Sequence, residues 1–461
     1  MMSKPSIPQG TRDFSAATVR KRNYILNTIK SVFELHGFQP LETPAMEQLQ
    51  TLMGKYGEEG DRLIFKILNN GLYEKKDKAA LQQAWEGILE KPSSSTLITE
   101  RALRYDLTIP FARYVAMNFN ELAMPYKRYQ MQPVWRADRP QKGRYREFWQ
   151  CDCDMVGSTS VFNEAELLAI YARVFKQLGI PQISIKINNR KILAAIAEFA
   201  GYEAQLTDIT IALDKLDKVG WEGVEKELLE RSILADGIEK IRMFVAIQGD
   251  HTLILQHLRK HLAHIPVGLL GIEELESILS YVHALSAEAT ELVKLDLCLA
   301  RGLNYYTGMI VEVGTTAVKM GSIGGGGRYD HLTDLFGVKG ISGVGISFGV
   351  DRIYDVIEEL NAFPETIYTD TQVLLLNTGK EFETDNIEVL KALRVAGIRA
   401  EYYADANKID KQFKYANKRA IPYVIIIAEQ EKASQMISIK NLETGVQEAL
   451  SIAQIVQTIQ S

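Results

Sequence analysis

Between residues 15 and 37 the apolar residues Val19, Tyr24, Ile25, Ile29, Val32, Phe33 and Leu35 recur at helical spacing, and Gly37 stops the run. The pattern predicts one long amphipathic helix followed by an extended stretch at 38–44. Residues 62–67 alternate like a strand, whereas 69–96 are polar and lysine-rich and read as an excursion from the core. Strand patterns at 126–136 and 144–155 flank the turn-forming 138–143 and predict an antiparallel hairpin with a basic tip. A strand at 183–188 precedes a block of mostly helical pattern, 191–286, and a strand-like run resumes at 292–300. Glycines cluster at 321–327 and 343–345, and a helix starts near Val350 and runs toward Leu360. Beyond Pro364 strands and helices alternate (372–376, 383–396, 399–403, 423–427), which predicts a closing α/β domain.

Within the second hairpin strand, period two puts Phe148, Gln150, Asp152 and Asp154 on one face and Trp149, Cys151, Cys153 and Met155 on the other. The cysteines read as small buried hydrophobes, because no second Cys/His pair stands at ligand spacing. The polar face, set against Arg128 and Arg136 of the neighbouring strand, reads as the lining of a cavity rather than a solvated surface.

At 461 residues the chain is long enough for about three domains. With 46% hydrophobic and 24% charged residues it has the composition of a folded, water-soluble protein, not of a disordered or coiled-coil chain. The net charge of −5 gives no global attraction to nucleic acid. Locally the picture reverses: residues 127–146 hold seven basic side chains against the single acid Asp138, a density suited to a polyanion. Three cysteines cannot form a disulfide framework, and neither a targeting segment nor a long apolar run is present, so a cytoplasmic protein away from membranes is expected.

These residues carry a resemblance. Val134-Trp135-Arg136-Ala137-Asp138-Arg139-Pro140 through Gly143-Arg144-Tyr145-Arg146-Glu147-Phe148 resembles motif 2 of the class II aminoacyl-tRNA synthetases, specifically the histidyl-tRNA synthetases. Arg104-Tyr105-Asp106-Leu107-Thr108, the Arg-Gly-Leu-x-Tyr-Tyr stretch at 301–306 and Gly324 to Asp330 resemble the same family. So do Gly343 to Arg352 (motif 3), Gly37 to Pro44 (motif 1) and the opening Pro8 to Asp13. The wording of 104–108 and 146–154 is closer to the eukaryote-type branch.

The resemblance implies an α+β fold: a class II antiparallel sheet flanked by helices, with a helical insertion and a C-terminal α/β anticodon-binding domain. The expected domains are a catalytic body at 1–190 and 291–365, the insertion at 191–290 and the anticodon-binding domain at 370–461. The activity implied is histidine–tRNA ligation: ATP and L-histidine give histidyl-adenylate and pyrophosphate, and histidine then passes to the 3′ end of tRNA(His). A homodimer is implied through motif 1.

By the same resemblance Arg136 and Arg301 are catalytic, beside the α-phosphate and the reacting carboxylate. Asp106, Leu107, Thr108, Arg136, Gln150, Asp154, Arg301, Tyr305 and Tyr306 are expected to bind histidine: Asp106, Thr108 and Gln150 at its amino group, Asp154 and the tyrosines around its imidazole. Arg136, Arg144, Glu147, Phe148 and Arg352 are expected at ATP, with adenine between Phe148 and Arg352. Arg139, Gln141 and Lys142 are expected to meet the tRNA acceptor end. Mg²⁺ is expected with ATP, and no protein ligand is assigned to it.

Asn304 stands where the family usually has Asp. Gly324 to Gly327 lacks the lysine and Ser/Thr of a P-loop and reads as close backbone approach to substrate. His257, His261 and His264 share one helical face, with basic residues and no carboxylate between them, and read as a solvated or tRNA-facing helix rather than a metal site. The rival is a regulatory subunit of histidine biosynthesis on the same fold; such paralogues lack the C-terminal domain and erode the ATP-site arginines, both of which this chain keeps.

Overall fold

The computed structural model describes residues 4–90, 95–247, 249–300, 305–364, 367, 371–434 and 436–460. Helix α1 (Ala16–Leu35) is capped by Ser15, whose hydroxyl accepts from the Thr18 N–H at 3.3 Å. Ile25, Ile29, Val32 and Phe33 form its buried face, as their spacing requires, but Val19 and Leu35 of the predicted stripe are exposed. Arg22 is buried with that stripe because its guanidinium reaches Asp351.

Among the described residues eight strands make the principal sheet: β1 (Gln39–Pro40), β2 (Tyr126–Trp135), β3 (Glu147–Val156), β4 (Ile183–Asn189), β5 (Val293–Leu295), β6 (Met309–Thr315), β7 (Gly324–Tyr329) and β8 (Gly343–Gly349). Their spatial order is β1-β2-β3-β8-β7-β6-β4-β5. All pairs are antiparallel except the two outermost, β1 with β2 and β4 with β5. The β2–β3 hairpin starts and ends close to expectation, although Arg136 and Arg144 lie in the connection.

One face of the sheet is apolar. Cys151, Cys153 and Met155 are buried there, and Phe348 of β8 meets Phe33, Tyr171 and Phe175 at ring-centroid distances of 5.8, 4.7 and 5.5 Å. Burial of such rings is the main stabilising contribution on this side. The other face holds the polar residues.

The run 62–67 is not one strand: a short helix (Gly57–Arg62) takes its start and only Lys66–Ile67 pairs. The excursion contains an outlying helix, Lys78–Glu90. The strand-like 292–300 is extended only at β5. Between β4 and β5 the chain is helical from Arg190–Ala200 to Ala287–Leu292, and this block is joined to the body by Glu274, which accepts from Asn189 (2.7 Å) and pairs with Lys191 (2.5 Å).

The chain forms two compact units, 1–362 and 363–461. Among the described residues the second has five strands, with parallel pairs around Val373–Leu375 and antiparallel pairs beyond Tyr423–Ile426. The strand Val373–Leu375 is buried on both sides: Val373 and Leu375 pack with Val389, Leu393 and Ile455, and Leu374 packs with Ala416 and Ile421. Alternate residues feeding two cores explain the unbroken apolar run in the sequence.

The glycines of β7 serve mostly the protein itself. A side chain at Gly326 would meet the Gly345 carbonyl oxygen at 2.2 Å, and one at Gly327 the Met309 carbonyl at 2.6 Å and the Tyr306 ring at 2.8 Å. Because the obstacle at Gly326 is the backbone of β8, Gly326→Ala is expected to destabilise the first unit by about 1–3 kcal/mol. Chemical denaturation checks this, and an unchanged midpoint would show that the two strands can part without cost.

Candidate active site

The polar face of β3 forms one wall of a cavity of about 310 Å³. Phe148, Gln150 and Asp152 line it at alternate positions, as the period-two reading requires. Opposite β3 runs the loop before helix α2 (Thr108–Asn118), which brings Tyr105, Asp106 and Thr108 to the cavity. Arg104 fastens that loop to β2: its buried guanidinium donates to the carbonyls of Pro133 at 2.8 Å and Thr43 at 2.7 Å. Tyr305 and Tyr306, with rings 4.9 Å apart, close the inner end together with Gly324, Gly325 and Gly326.

At the hairpin end the cavity is cationic. Arg136, Arg144 and Arg352 all line it. Arg136 donates to the Tyr105 carbonyl at 3.1 Å, and its guanidinium lies 4.2 Å from the Tyr105 ring centroid and 5.2 Å from that of Phe148. Arg352 donates to the Gly143 carbonyl at 2.7 Å and the Ser322 carbonyl at 2.5 Å. Burial lowers the Arg352 guanidinium from its ordinary value, and the like charges of Arg144 and Arg136 lower it further. Three arginines gathered in this way suit a polyanion.

The inner end is acidic. Asp106 accepts from the Tyr56 hydroxyl at 2.8 Å and the Ile109 N–H at 3.2 Å through one oxygen, while its other oxygen has no partner. Gln150 donates to the Ser347 hydroxyl at 2.9 Å and leaves its carbonyl oxygen unpaired. Asp152 keeps Oδ1 unpaired, and burial pushes its carboxyl up to about 7, with Arg128 opposing and Asp154 adding to the rise. Burial likewise raises Asp106, which the Tyr56 hydrogen bond partly offsets. Three buried acceptors without donors point to a ligand rich in N–H groups.

Asp154 is used differently. It faces Arg128 across the β2–β3 pair at 2.8 Å and accepts from the Tyr329 hydroxyl at 2.5 Å. Both charges are buried, and Asp154 is not among the residues lining the cavity. Other expected residues also stand away from it. Leu107 is buried and offers its carbonyl to Arg128 at 3.3 Å. Glu147 points to the opposite face of β3 and accepts from the Trp135 indole at 2.8 Å. Arg139, Gln141 and Lys142 are exposed at the hairpin tip, with Lys142 paired to Glu359 at 2.5 Å. Arg301 and Asn304 lie outside the described residues.

The histidine face is partly solvated, with His264 exposed and His257 and His261 half-buried. The helix ends at Leu262, and His257, His261 and His264 pack edge-on against Phe199 and Phe244. Burial, then the neighbouring His261, lowers His257. Among the described residues no group of three or more His, Cys, Asp or Glu could hold a metal.

Sequence reasoning missed Asp351, whose carboxylate joins Arg12, Arg22 and the Trp149 N–H (2.8 Å). Arg12 in turn lies 3.3 Å from the Tyr145 ring centroid, so the N-terminal segment clasps the hairpin beside the cavity. It also left Asp152 unassigned, although the alternation had put it on the correct face.

A central antiparallel sheet with an acidic and cationic cavity on its polar face, in a chain that closes with an α/β unit, is the architecture of the class II synthetases. Residues 95–353 match the Histidyl-tRNA synthetase family and residues 372–461 the Anticodon binding domain. The chain is 51% identical over 452 residues to the histidine–tRNA ligase of Christiangramia forsetii, covering 98% of each sequence. It is 49% identical to that of Phocaeicola vulgatus, covering 100% of both. The crystal structure of histidyl-tRNA synthetase from Nostoc sp. PCC 7120 superposes with a TM-score of 0.83 at 31% identity, over 100% of this chain and 99% of that one. The chain belongs to the histidyl-tRNA synthetase family.

Asp152 gives this site a pH signature. Its carboxyl holds its proton more tightly in the native state (about 7) than unfolded (3.8), so the ionised form destabilises the fold. That cost is absent below about pH 4, grows between about 4 and 7, and is complete above. Asp152→Asn is therefore expected to raise Tm relative to the parent by about 2–4 °C more at pH 8 than at pH 5. Calorimetry at the two pH values checks this; an equal shift at both would place the titration elsewhere.

Proposed function

We propose that this chain activates L-histidine with ATP and transfers it to the 3′ end of tRNA(His). The observation that carries the reading is the polarity of one cavity: three arginines at the hairpin end and three buried, unpaired acceptors at the inner end. A polyphosphate suits the first, and an amino acid with an ammonium group and a donor-bearing ring suits the second.

The α-ammonium group sits against Asp106, Thr108 and Gln150, and the imidazole enters between Tyr305, Tyr306 and the acidic inner wall. The carboxylate then points to the hairpin end, where an oxygen attacks the α-phosphorus of ATP. The new P–O bond forms as the bond to the β-phosphate oxygen breaks, and pyrophosphate leaves. Arg136 meets the charge that develops on the α-phosphate oxygens; its fork is pre-oriented by the Tyr105 carbonyl and two rings, so little reorganisation is needed. Adenine stacks between Phe148 and Arg352. Arg301 assists at the carboxylate by family likeness. Arg144 and Glu147 complete the expected ATP set, with Glu147 acting through Trp135 on the outer face of the strand.

Mg²⁺ would enter with ATP, held chiefly by phosphate and water, and would offset charge on the phosphates; Asp138 and Glu312 line the same cavity. In the second step the ribose hydroxyl of the tRNA attacks the adenylate carbonyl and AMP leaves. Arg139, Gln141 and Lys142 at the hairpin tip guide the acceptor end, and the C-terminal unit, 370–461, reads the anticodon. The catalytic body comprises 1–190 and 291–365, with 191–290 as its insertion. A second copy covers β1, the short parallel strand at the sheet edge. No helix among the described residues is long and apolar enough to cross a membrane, and the three free cysteines suit a reducing cytoplasm.

Histidine-dependent exchange of pyrophosphate into ATP tests the reading, and its absence at saturating ATP would overturn it. Arg136→Lys keeps the charge and loses the fork; it is expected to lower the exchange kcat about 100-fold while histidine binding stays within a factor of three. Unchanged single-turnover adenylation would show that another group stabilises the α-phosphate.

A further inference from the structure

The connection between β2 and β3 lies outside the strands of the sheet, yet it carries Arg136 and Arg144 to the cationic end of the cavity. Two neighbours hold it in place. On one side is the helix Val350–Glu359, where Arg352 donates to the Gly143 carbonyl at 2.7 Å and Asp355 accepts from the Tyr145 hydroxyl at 2.8 Å. On the other side are residues 9–12. The Gly10 carbonyl accepts from the Arg146 N–H at 2.9 Å, and the Arg146 carbonyl accepts from the Arg136 N–H at 3.0 Å. Gly10 has a φ of +83°, and a side chain there would meet the Arg146 Cγ at 2.7 Å, so glycine alone makes this approach without strain.

Arg12 joins the two sides. Its guanidinium pairs with Asp351 of the helix and lies 3.3 Å from the Tyr145 ring centroid. Asp351 does not depend on it: the buried Arg22 reaches the same Oδ1, and Oδ2 accepts from the Trp149 N–H at 2.8 Å. A second cation on a carboxylate already paired adds little to stability where it is partly exposed, as Arg12 is. What Arg12 adds is control of Tyr145, whose face it covers while Asp355 holds the hydroxyl. Arg144 is the neighbouring residue in the chain. Arg136, Arg144 and Arg352 are like charges gathered at one end, and before a polyanion binds their repulsion favours a connection swung outward. A clamp on Tyr145 opposes that motion.

We propose that Arg12 is a positioning residue for ATP: by pairing with Asp351 and stacking on Tyr145 it fastens the hairpin connection to the helix Val350–Glu359 and holds Arg136 and Arg144 in place for the triphosphate. This rests on ATP being the substrate of the cationic end. The gain is preorganisation, since a connection already ordered does not draw on binding energy when the phosphates arrive. An arginine suits the task because its planar fork can pair through its edge and stack through its face at once, which the point charge of a lysine cannot do.

The test titrates Mg-ATP and histidine separately by calorimetry, and follows pyrophosphate exchange, in the parent, Arg12→Ala, Arg12→Lys, Tyr145→Ala and the double variant Arg12→Ala/Tyr145→Ala. Arg12→Ala is expected to weaken Mg-ATP binding and raise its KM about 5- to 20-fold, with the histidine Kd within a factor of two and Tm lower by no more than about 3 °C. Arg12→Lys keeps the ion pair without the stack and is expected to recover only part of the loss. The double variant is expected to bind Mg-ATP no more weakly than the worse single variant, because both remove one contact. Gly10→Ala, which disturbs the same connection through its backbone, is expected to reproduce the ATP defect and keeps the test decisive where Arg12→Ala does not fold. An ATP KM within twofold of the parent in folded Arg12→Ala, equal losses for histidine and ATP, or additive losses in the double variant would overturn the proposal. A parent that binds Mg-ATP but exchanges no pyrophosphate would overturn the proposed function alone, and the binding comparison would still decide this one.

Discussion

The acidic inner wall of the cavity depends on a single buried cation. Arg128 has no exposed surface, faces Asp154 at 2.8 Å and lies with its guanidinium 4.2 Å from the Phe111 ring centroid. It acts on two buried carboxyls, opposing the rise of Asp152 as well as that of Asp154, while Arg136 does the same for Asp106. With the cation committed to Asp154, burial and mutual repulsion push Asp152 up and leave it poised for an incoming donor. Removing one member of a buried pair leaves an uncompensated charge at a cost of about 3–5 kcal/mol, so the wall stands or falls as a unit.

The same logic revises the charge reading of the hairpin. The sequence shows seven basic residues in twenty, but the fold uses several of them internally: Lys127 pairs with Glu166, Arg128 with Asp154 and Lys142 with Glu359, and Arg146 donates to the Asp138 carbonyl. The charge directed at the cavity comes instead from Arg136 and Arg144, joined by Arg352 from α3 (Val350–Glu359), more than two hundred residues away. Local density marked the correct hairpin and overstated how much of it faces a phosphate.

What was legible followed from periodicity. The alternation along 148–154 assigned both faces of β3, the turn residues at 138–143 marked the hairpin, and the helices at 16–35 and 350–359 emerged within a residue or two. What was not legible depends on distant partners. Val19 and Leu35 fit an apolar stripe, yet no neighbouring element covers them. Asp154 and Asp152 are equivalent in the strand pattern and separate only because Tyr329 and Gly345 close over one of them. The clasp of Asp351 on Arg12 spans 339 positions, and no local pattern announces it.

The unpaired acceptors explain how a site of this kind discriminates without a second, corrective reaction. Asp106, Gln150 and Asp152 each carry a buried oxygen without a donor, an arrangement that costs stability in the empty protein. A ligand that supplies all the missing donors recovers that cost on binding, whereas an isosteric one that lacks a ring N–H leaves a buried carboxylate oxygen bare. Sites built to hydrogen-bond a substrate group reject analogues lacking it by about 10⁴ to 10⁵. Selectivity and the instability of the empty cavity thus have one physical source, and a change that relieves the second is bound to weaken the first.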